Sequence, residues 1–573
     1  MFEEMLPALK RNAEEVYHTR GAAFSLVHYP IRSDRVVYSN FTWELGLENT
    51  ALMLQPFWQV YQYTQDLDFL RRAYPMMVEG ARFYADYVTQ GDDGFYHIVP
   101  TVSQEHWGLT PEYRLNRDSV GALSFVRYHL RACIEASEIL GVDADERSRW
   151  QEVVDHLAPY PTLDTPEGPV FCDVRDAPEI LDYNITANLV MTLWAEDISL
   201  DSPPERLDMA RRSYFAIPNR ERSQRPGYLR QIRLFLGIPD AVDLSPQGRL
   251  LSWPGRIHIY AGVPTGAAVN DHFAGLLAVG GFEVSARHMG TEVRGVRITS
   301  RAGRRCRVAD PWGAADVKVM DLAGRQVVPH ELQHGTISFA TEAGHTYALL
   351  SGPELALAEA TYVPDERTVG RWDFADAQGD RVQDSSGAGL GAHLVGGAAL
   401  AAADGRQVLA LVGDGGYAEV PRGASLDFGA DESFAVEATI RFPRAFPPQM
   451  VPIICSMADR QYCLMLSDGK LHFYLSSPRG DVFSSATGER VLTDGIWHTV
   501  RGVRDVSDGT VRVYVDGALD GESQDTTEGH FSSEAPLTIG AYLWGDRSRY
   551  ARAEVAEAEV RSLGRLVRPR APD

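Results

Sequence analysis

The densest chemistry on the chain lies in Tyr96-His97-Ile98-Val99-Pro100-Thr101-Val102-Ser103-Gln104-Glu105-His106-Trp107-Gly108, where a carboxylate, an imidazole and an indole fall on consecutive positions. A carboxyl beside two rings can give a proton to a polar, ring-shaped ligand while an aromatic face covers the ligand's C–H patch. Glu105 is read as the proton donor of a sugar-cleaving site. His106 and Trp107 are expected to dehydrate it partly, which favours the protonated carboxyl. The plain alternative is a loop glutamate held in a salt bridge.

Cleaving a glycosidic bond also needs a second carboxyl, which in an inverting pair stands about 6.5–9.5 Å from the first. Several residues could line the same mouth. His28, Trp43, His106 and Trp107 fit sugar platforms and hydroxyl partners, and each could equally be a core or rim residue. Asn116 and Asp118 lie in Leu115-Asn116-Arg117-Asp118-Ser119, where Asp118 also reads as a helix N-cap. Glu44 and Glu48 flank a helix start beside Trp43, Asp173 follows a Gly-Pro turn, and Asp271 lies in Val269-Asn270-Asp271-His272-Phe273. No base is singled out among them.

His330-Glu331-Leu332-Gln333-His334 spells HExxH, which on a helix would set two imidazoles on one face for zinc. Pro329 and Gly335 bracket it and strand-like segments flank it, leaving no room for that helix. It is read as a chance match, with no metal assigned.

The elements around the loop are helical. Phe2, Met5, Leu6, Leu9, Ala13 and Val16 recur at helical spacing, which makes an amphipathic helix and not a signal peptide. Leu47 to Thr64 puts Ala51, Leu54, Phe57, Trp58 and Tyr61 on one stripe. Asp66 caps the next helix, with Phe69, Leu70, Ala73, Met77, Ala81, Tyr84 and Val88 inward. Another runs from Asp118 through Val120, Leu123, Val126, Leu130 and Cys133, and shorter ones are expected near 144–157, 179–196 and 204–215. Helices paired by short turns and alternating with long polar loops predict an α/α toroid over residues 1–250, its site where the loops converge.

Here a resemblance enters. Tyr61-Gln62-Tyr63-Thr64-Gln65-Asp66-Leu67-Asp68-Phe69-Leu70, Tyr74-Pro75 and Gly80-Ala81-Arg82-Phe83-Tyr84 resemble the helical hairpin of glycoside hydrolase family 95. Pro100-Thr101-Val102-Ser103-Gln104-Glu105 resembles that family's Pro-Ser/Thr-x-Ser-Pro-Glu-Asn loop. The resemblance implies an α-L-fucosidase- or α-L-galactosidase-like enzyme with a six-hairpin barrel, acting by inversion, with Glu105 as general acid. It also implies an extracellular or periplasmic setting. The chain departs from the pattern: the loop's Asn is His106, its Pro is Gln104, and Asn49-Thr50-Ala51-Leu52 replaces a glycine-rich helix start. The family's asparagine-rich segment would fall before residue 1, and its Asp-Gly-Asn segment bearing the base has no counterpart between 216 and 256. The barrel is therefore expected to be incomplete, and self-association or tight interdomain packing would cover its exposed helix faces.

From 251 to 355 the apolar period changes from 3.6 to 2, in Arg256–Tyr260, Phe282–Ala286, Val293–Ile298, Cys306–Val308, Val317–Met320 and Tyr347–Leu350. This predicts a small antiparallel β-domain, and its order resembles the same family's passage into a C-terminal domain. Residues 353–364 read as a linker. Over 365–565, Gly370-Arg371-Trp372-Asp373-Phe374, Asp494-Gly495-Ile496-Trp497-His498 and Val511-Arg512-Val513-Tyr514-Val515-Asp516-Gly517 resemble the laminin-G/concanavalin-A-like jelly roll. Trp497 is expected in its core and Asp516-Gly517 at a hairpin turn. Some such modules hold calcium at the sheet rim, but no liganding cluster is visible and none is assigned.

Composition narrows the partners. Of 573 residues, 55 Lys+Arg against 78 Asp+Glu leave a net charge of −23. Such a surface disfavours nucleic acid, anionic membranes and polyanions and suits a neutral oligo- or polysaccharide. No run of about 18 or more apolar residues exists to span a membrane. The five cysteines show no zinc spacing. Cys455 and Cys463 could face each other across a hairpin, with buried free thiols favoured.

Overall fold

A computed structural model describes residues 2–24, 45–103, 105–181, 186–218, 220, 226–238, 241–253, 255–313, 316–444, 450–456, 462–476, 483–527, 530–531, 535–543 and 548–567. The chain is mixed helical and β. It divides into two compact units, residues 1–264 with 278–281, and residues 265–277 with 282–573.

The first unit is built on α1 (Phe2–Tyr17), α2 (Glu48–Thr64), α3 (Leu67–Tyr87), α4 (Val120–Leu140) and α5 (Ala144–His156). The expected stripes face one core: Ala51, Trp58 and Tyr61 of α2 meet Leu70, Met77 and Tyr84 of α3 and Leu123, Val126 and Leu130 of α4. Two residues make the turn between α2 and α3. Gln65 takes a left-handed conformation and closes on the Tyr61 carbonyl, and the Asp66 carboxylate then accepts from the amides of Asp68 and Phe69. Gly80 permits a close approach: a methyl there would lie 2.6 Å from Leu54 Cδ1 and 2.7 Å from His129 Nε2.

Three expectations change here. Ser119 caps α4, its hydroxyl accepting from Ala122, while Asp118 stands at φ 53° and turns elsewhere. The segment 179–196 forms a 3-10 turn at Ala187–Leu189 and one helical turn at Val190–Leu193, with 182–185 outside the described residues. Its buried Thr186, Asn188 and Thr192 are poor helix formers in an apolar setting, and Asn188 donates to the Phe171 carbonyl oxygen instead. A helix at Pro226–Phe235, not expected from the sequence, follows Pro204–Phe215.

The second unit opens with a six-stranded antiparallel sheet, ordered 326–328, 317–321, 346–351, 292–300, 282–290, 269–278. His330–Gln333 is a strand paired with Thr336–Phe339, so the HExxH segment has strand periodicity and its two histidines are not on a helix face. The linker expectation is half met: 352–359 is a 3-10 stretch, but the strand Thr361–Asp373 begins inside 353–364 and pairs with the last strand of the chain.

Two antiparallel sheets then form the jelly roll. One contains β1 (Glu432–Arg441), β2 (Trp497–Asp505), β3 (Thr510–Val515) and β4 (Arg552–Val567), ordered β4-β1-β2-β3. Between the sheets, Phe428 and Phe434 stack at 4.2 Å, and the buried Trp372 donates to the Leu390 carbonyl oxygen at 2.6 Å. Trp497 is not in this core. It lies on the opposite face of β2, between the guanidinium groups of Arg406 and Arg441, with its indole N–H on Asp404 at 2.8 Å. Strand alternation explains this, since Val500 and Gly502 take the inward positions. Cys455 and Cys463 are directly opposed in an antiparallel pair and form a disulfide, which overturns the free-thiol expectation.

The six-stranded sheet is tied to the jelly roll through polar contacts. Arg287 donates to the Thr526 carbonyl oxygen at 2.8 Å and Arg325 to that of Ser507 at 2.9 Å.

Candidate functional site

The loop between α3 and α4 is fixed from both sides. The Thr101 amide donates to the Asn116 carbonyl oxygen and the Val102 amide to that of Leu45, at 2.8 and 2.9 Å. Asn116 is wholly buried. Its carboxamide oxygen accepts from the amide and hydroxyl of Thr110, and its nitrogen donates to the Gly108 carbonyl oxygen at 2.7 Å. Asp118 is buried as well, accepting from the Ile98 amide at 2.9 Å and facing His97 Nδ1 at 2.7 Å; His97 Nε2 reaches Asp93 at 3.0 Å. Both side chains thus bind the loop to itself.

The pinned loop holds unusual backbone. Glu105, Trp107, Glu112, Tyr113 and Asp118 all have φ between 53° and 63°. The left-handed region disfavours residues other than glycine by about 1–2 kcal/mol each, and such strain persists only where the surroundings impose it.

Glu105 is exposed at this turn, so the dehydration expected from its neighbours is not seen. His106 and Trp107 instead converge on Asp173. His106 Nδ1 and Trp107 Nε1 each lie 2.9 Å from Asp173 Oδ2. Asp173 follows the strand Gly168–Phe171, and its carbonyl oxygen accepts from the Val120 amide at the start of α4. Apolar packing by Cys172, Val174 and Ala177 supports Trp107. Among the described residues, two polar atoms of this cluster, His106 Nε2 and Asp173 Oδ1, are buried with no hydrogen-bond partner, as is Asn188 Oδ1. Buried polar atoms are ordinarily paired, so these unspent ones stand out.

The same end of the helices carries Glu48, buried in the first turn of α2. A methyl on Gly121, in the first turn of α4, would stand 3.3 Å from its carboxyl carbon. His28, Trp43 and Glu44 lie outside the described residues. Asp271 lies on the strand Val269–Ala278 of the second unit. The sequence offers Asp173 as a candidate but not its partners, because residues 106 and 173 meet only in the fold. No motif in the sequence marks Glu196. Burial pushes that carboxyl up to about 7, only partly opposed by Gln59, whose amide is 3.4 Å away.

The fold so far defines a class: a helical domain with a strained, anchored loop, followed by an antiparallel β-domain and a jelly roll. Comparison with known families sharpens it. Residues 1–166 match the glycosyl hydrolase family 95 catalytic domain, 252–349 the glycoside hydrolase family 95 C-terminal domain, and 412–562 the concanavalin A-like lectin/glucanases superfamily of laminin-G type. The chain is family 95-like in its first two matched segments and carries a laminin-G-like jelly roll. A 107-residue stretch is 29% identical to alpha-L-fucosidase 2 of Arabidopsis thaliana, covering 18% of this chain and 13% of that protein. Among solved structures, domain 4 of AbnA, a GH43 extracellular arabinanase from Geobacillus stearothermophilus in complex with arabinotriose, is 15% identical with a TM-score of 0.27, covering 35% of this chain and 95% of that one. The binding domain of Paraclostridial Mosquitocidal Protein 1 is 14% identical with a TM-score of 0.28, covering 36% and 50%.

Proposed function

We propose that the chain is a glycosidase that removes a terminal sugar from a neutral oligo- or polysaccharide, with Glu105 as general acid and the jelly roll as an accessory sugar-binding module. The observation that carries this reading is the pairing of an exposed carboxyl on a strained, doubly anchored loop with the Asp173 clamp beside it. The helices are then part of an α/α toroid whose loops form the mouth.

In the reaction, Glu105 gives its proton to the oxygen of the departing group as the glycosidic bond breaks. A water, deprotonated by a second carboxyl, attacks the anomeric carbon. Bound substrate would supply the dehydration that the free loop lacks. In this reading His106 takes a substrate hydroxyl and Trp107 offers a ring edge or face, with Asp173 orienting both. Asn116 and Asp118 are positioning residues that keep Glu105 at the turn. His28, Trp43 and Glu44 precede Leu45, whose carbonyl oxygen holds Val102, and they are retained as substrate contacts.

The exposure of Glu105 also favours a second reading, a sugar-binding protein without turnover. A panel of aryl glycosides and unactivated oligosaccharides separates the two. Release of a monosaccharide that Glu105→Gln abolishes supports the enzyme, and glycan binding without release by the wild type supports the binder.

A further inference from the structure

The alternation that sends Val436, Ala438, Val500, Val511, Val513 and Val515 into the jelly-roll core sends their neighbours to the opposite face of the sheet. On that face lies a groove of about 390 Å³, lined among others by Glu437, Thr499, Arg501, Asp505, Arg512 and Tyr514. The register sets Glu437 of β1 opposite Arg501 of β2, and Arg501 opposite Tyr514 of β3. Carboxylate, guanidinium and phenol thus form one row across three adjacent strands, about 10 Å long at the usual strand spacing. Thr439 and Thr499 make the next row, with their hydroxyls 3.5 Å apart.

Three other arginines on this face are closed onto carboxylates. Arg561 Nε lies 2.8 Å from Glu559, Arg512 reaches Asp508 at 2.5 Å, and Arg441 is held by Glu554. Arg501 is different. Its Nε is 3.9 Å from Glu437 Oε2, an ion pair beyond hydrogen-bond reach, and among the described residues that buried nitrogen has no hydrogen-bond acceptor. Burial pushes the Glu437 carboxyl up, and Arg501 and Arg561 only partly offset this, as expected of a carboxylate short of donors. A row with an unspent donor, an unspent acceptor and an aromatic ring is what a polyhydroxylated ring needs. One hydroxyl can donate to a carboxylate, its neighbour can accept from a guanidinium, and the C–H face can lie on the phenol. The balanced charge of the row and the chain's net charge of −23 disfavour a polyanion. The aliphatic lining is limited to Val503 and Leu563, which leaves a peptide little to anchor on.

We propose that this groove binds a neutral saccharide chain, with a sugar ring on Tyr514 and adjacent hydroxyls shared between Glu437 and Arg501. The inference deepens the reading of the jelly roll as a sugar-binding module and does not depend on Glu105.

The test is affinity electrophoresis of the full chain through gels containing galactomannan, arabinoxylan or dextran, with polygalacturonate as the acidic comparison. The wild type should be retarded by at least one neutral polymer. Tyr514→Ala and Arg501→Ala should each weaken that binding at least tenfold, with Tyr514→Phe close to wild type. Should Tyr514→Ala fail to fold, as judged by its melting temperature, Glu437→Gln against Tyr514→Phe decides, the first weakened and the second not. Equal retardation of wild type and all groove variants overturns the groove while leaving the module reading intact. Retention by polygalacturonate alone also overturns it, and a wild type retained by none of the polymers overturns both.

Discussion

Asp173 Oδ2 stands 2.9 Å from His106 Nδ1 and accepts there a second donor, the Trp107 indole, so one carboxylate oxygen orients two consecutive rings beside Glu105. Removing a buried carboxylate leaves both donors unpaired, a loss of about 1–3 kcal/mol for each buried group stranded. Asp173→Ala should therefore lower the melting temperature and reduce kcat/KM at least tenfold. Asp173→Asn keeps an acceptor oxygen and should retain more of both. Unchanged kinetics in Asp173→Ala would separate this clamp from the reaction.

A second carboxylate ties the first unit together at the back of α4. Tyr160 donates to Asp197 at 2.6 Å, Arg131 and Arg206 approach it at 2.7 Å, and Arg127 at 3.4 Å. Burial alone would push this carboxyl up, but Arg127, Arg206, Tyr160 and Arg131 more than reverse that and hold it below the usual range. A depressed folded value means stability that is full above the unfolded value, about 3.9, and is lost as pH falls below it and through the folded one. Urea titrations of the helical signal should show this acid loss below about pH 4. In Asp197→Asn the slope should flatten and stability at pH 7 should drop by about 2–4 kcal/mol.

Glu196 runs the other way. Burial raises it to about 7, with Gln59 opposing. The folded state therefore holds the proton more tightly than the unfolded chain, whose value is about 4.3. Stability contributed by the protonated form is full below about pH 4.3 and declines as pH rises to 7. Glu196→Gln should be close to neutral at pH 4.5 and stabilising by about 1–3 kcal/mol at pH 8. Thermal melts at the two pH values check the sign.

Helix contact in the first unit depends on a missing side chain. A methyl on Gly80 would press on Leu54 and on His129. His129 is buried and pushed down to about 4, its Nε2 2.8 Å from the Met77 carbonyl oxygen. It is therefore a neutral donor that has nowhere to move. Gly80→Ala should destabilise by about 1–3 kcal/mol through overpacking despite its better helix propensity, read as a lower urea midpoint of the helical transition.

What could be read from the sequence was periodic and local. The stripe Ala51, Leu54, Trp58, Tyr61 and the cap at Asp66 are written in spacing, and they recur in the structure as expected. The same holds for Asp516 and Gly517, both at positive φ in the turn between β3 and Ala518–Gln524. Tertiary choices were not legible. Asp118 and Ser119 are both good caps, and only the pull of His97 and the Ile98 amide takes Asp118 away from that role. Trp497 reads as core from the sequence, yet strand parity puts it outside. The Glu437-Arg501-Tyr514 row joins three distant segments and exists only through register. Glu105 is singled out only by its neighbours in sequence, whereas the carboxylate that organises those neighbours lies 67 residues from His106.

The most direct test of the account is the kinetics of Glu105→Gln on two substrates that differ only in leaving group, an unactivated oligosaccharide and an aryl glycoside with an acidic phenol. A general acid matters most where the leaving oxygen needs its proton. The account predicts that kcat/KM on the oligosaccharide falls at least 100-fold, that the aryl glycoside is slowed far less, and that the alkaline limb of the pH profile disappears. Wild-type rates on both substrates would contradict it.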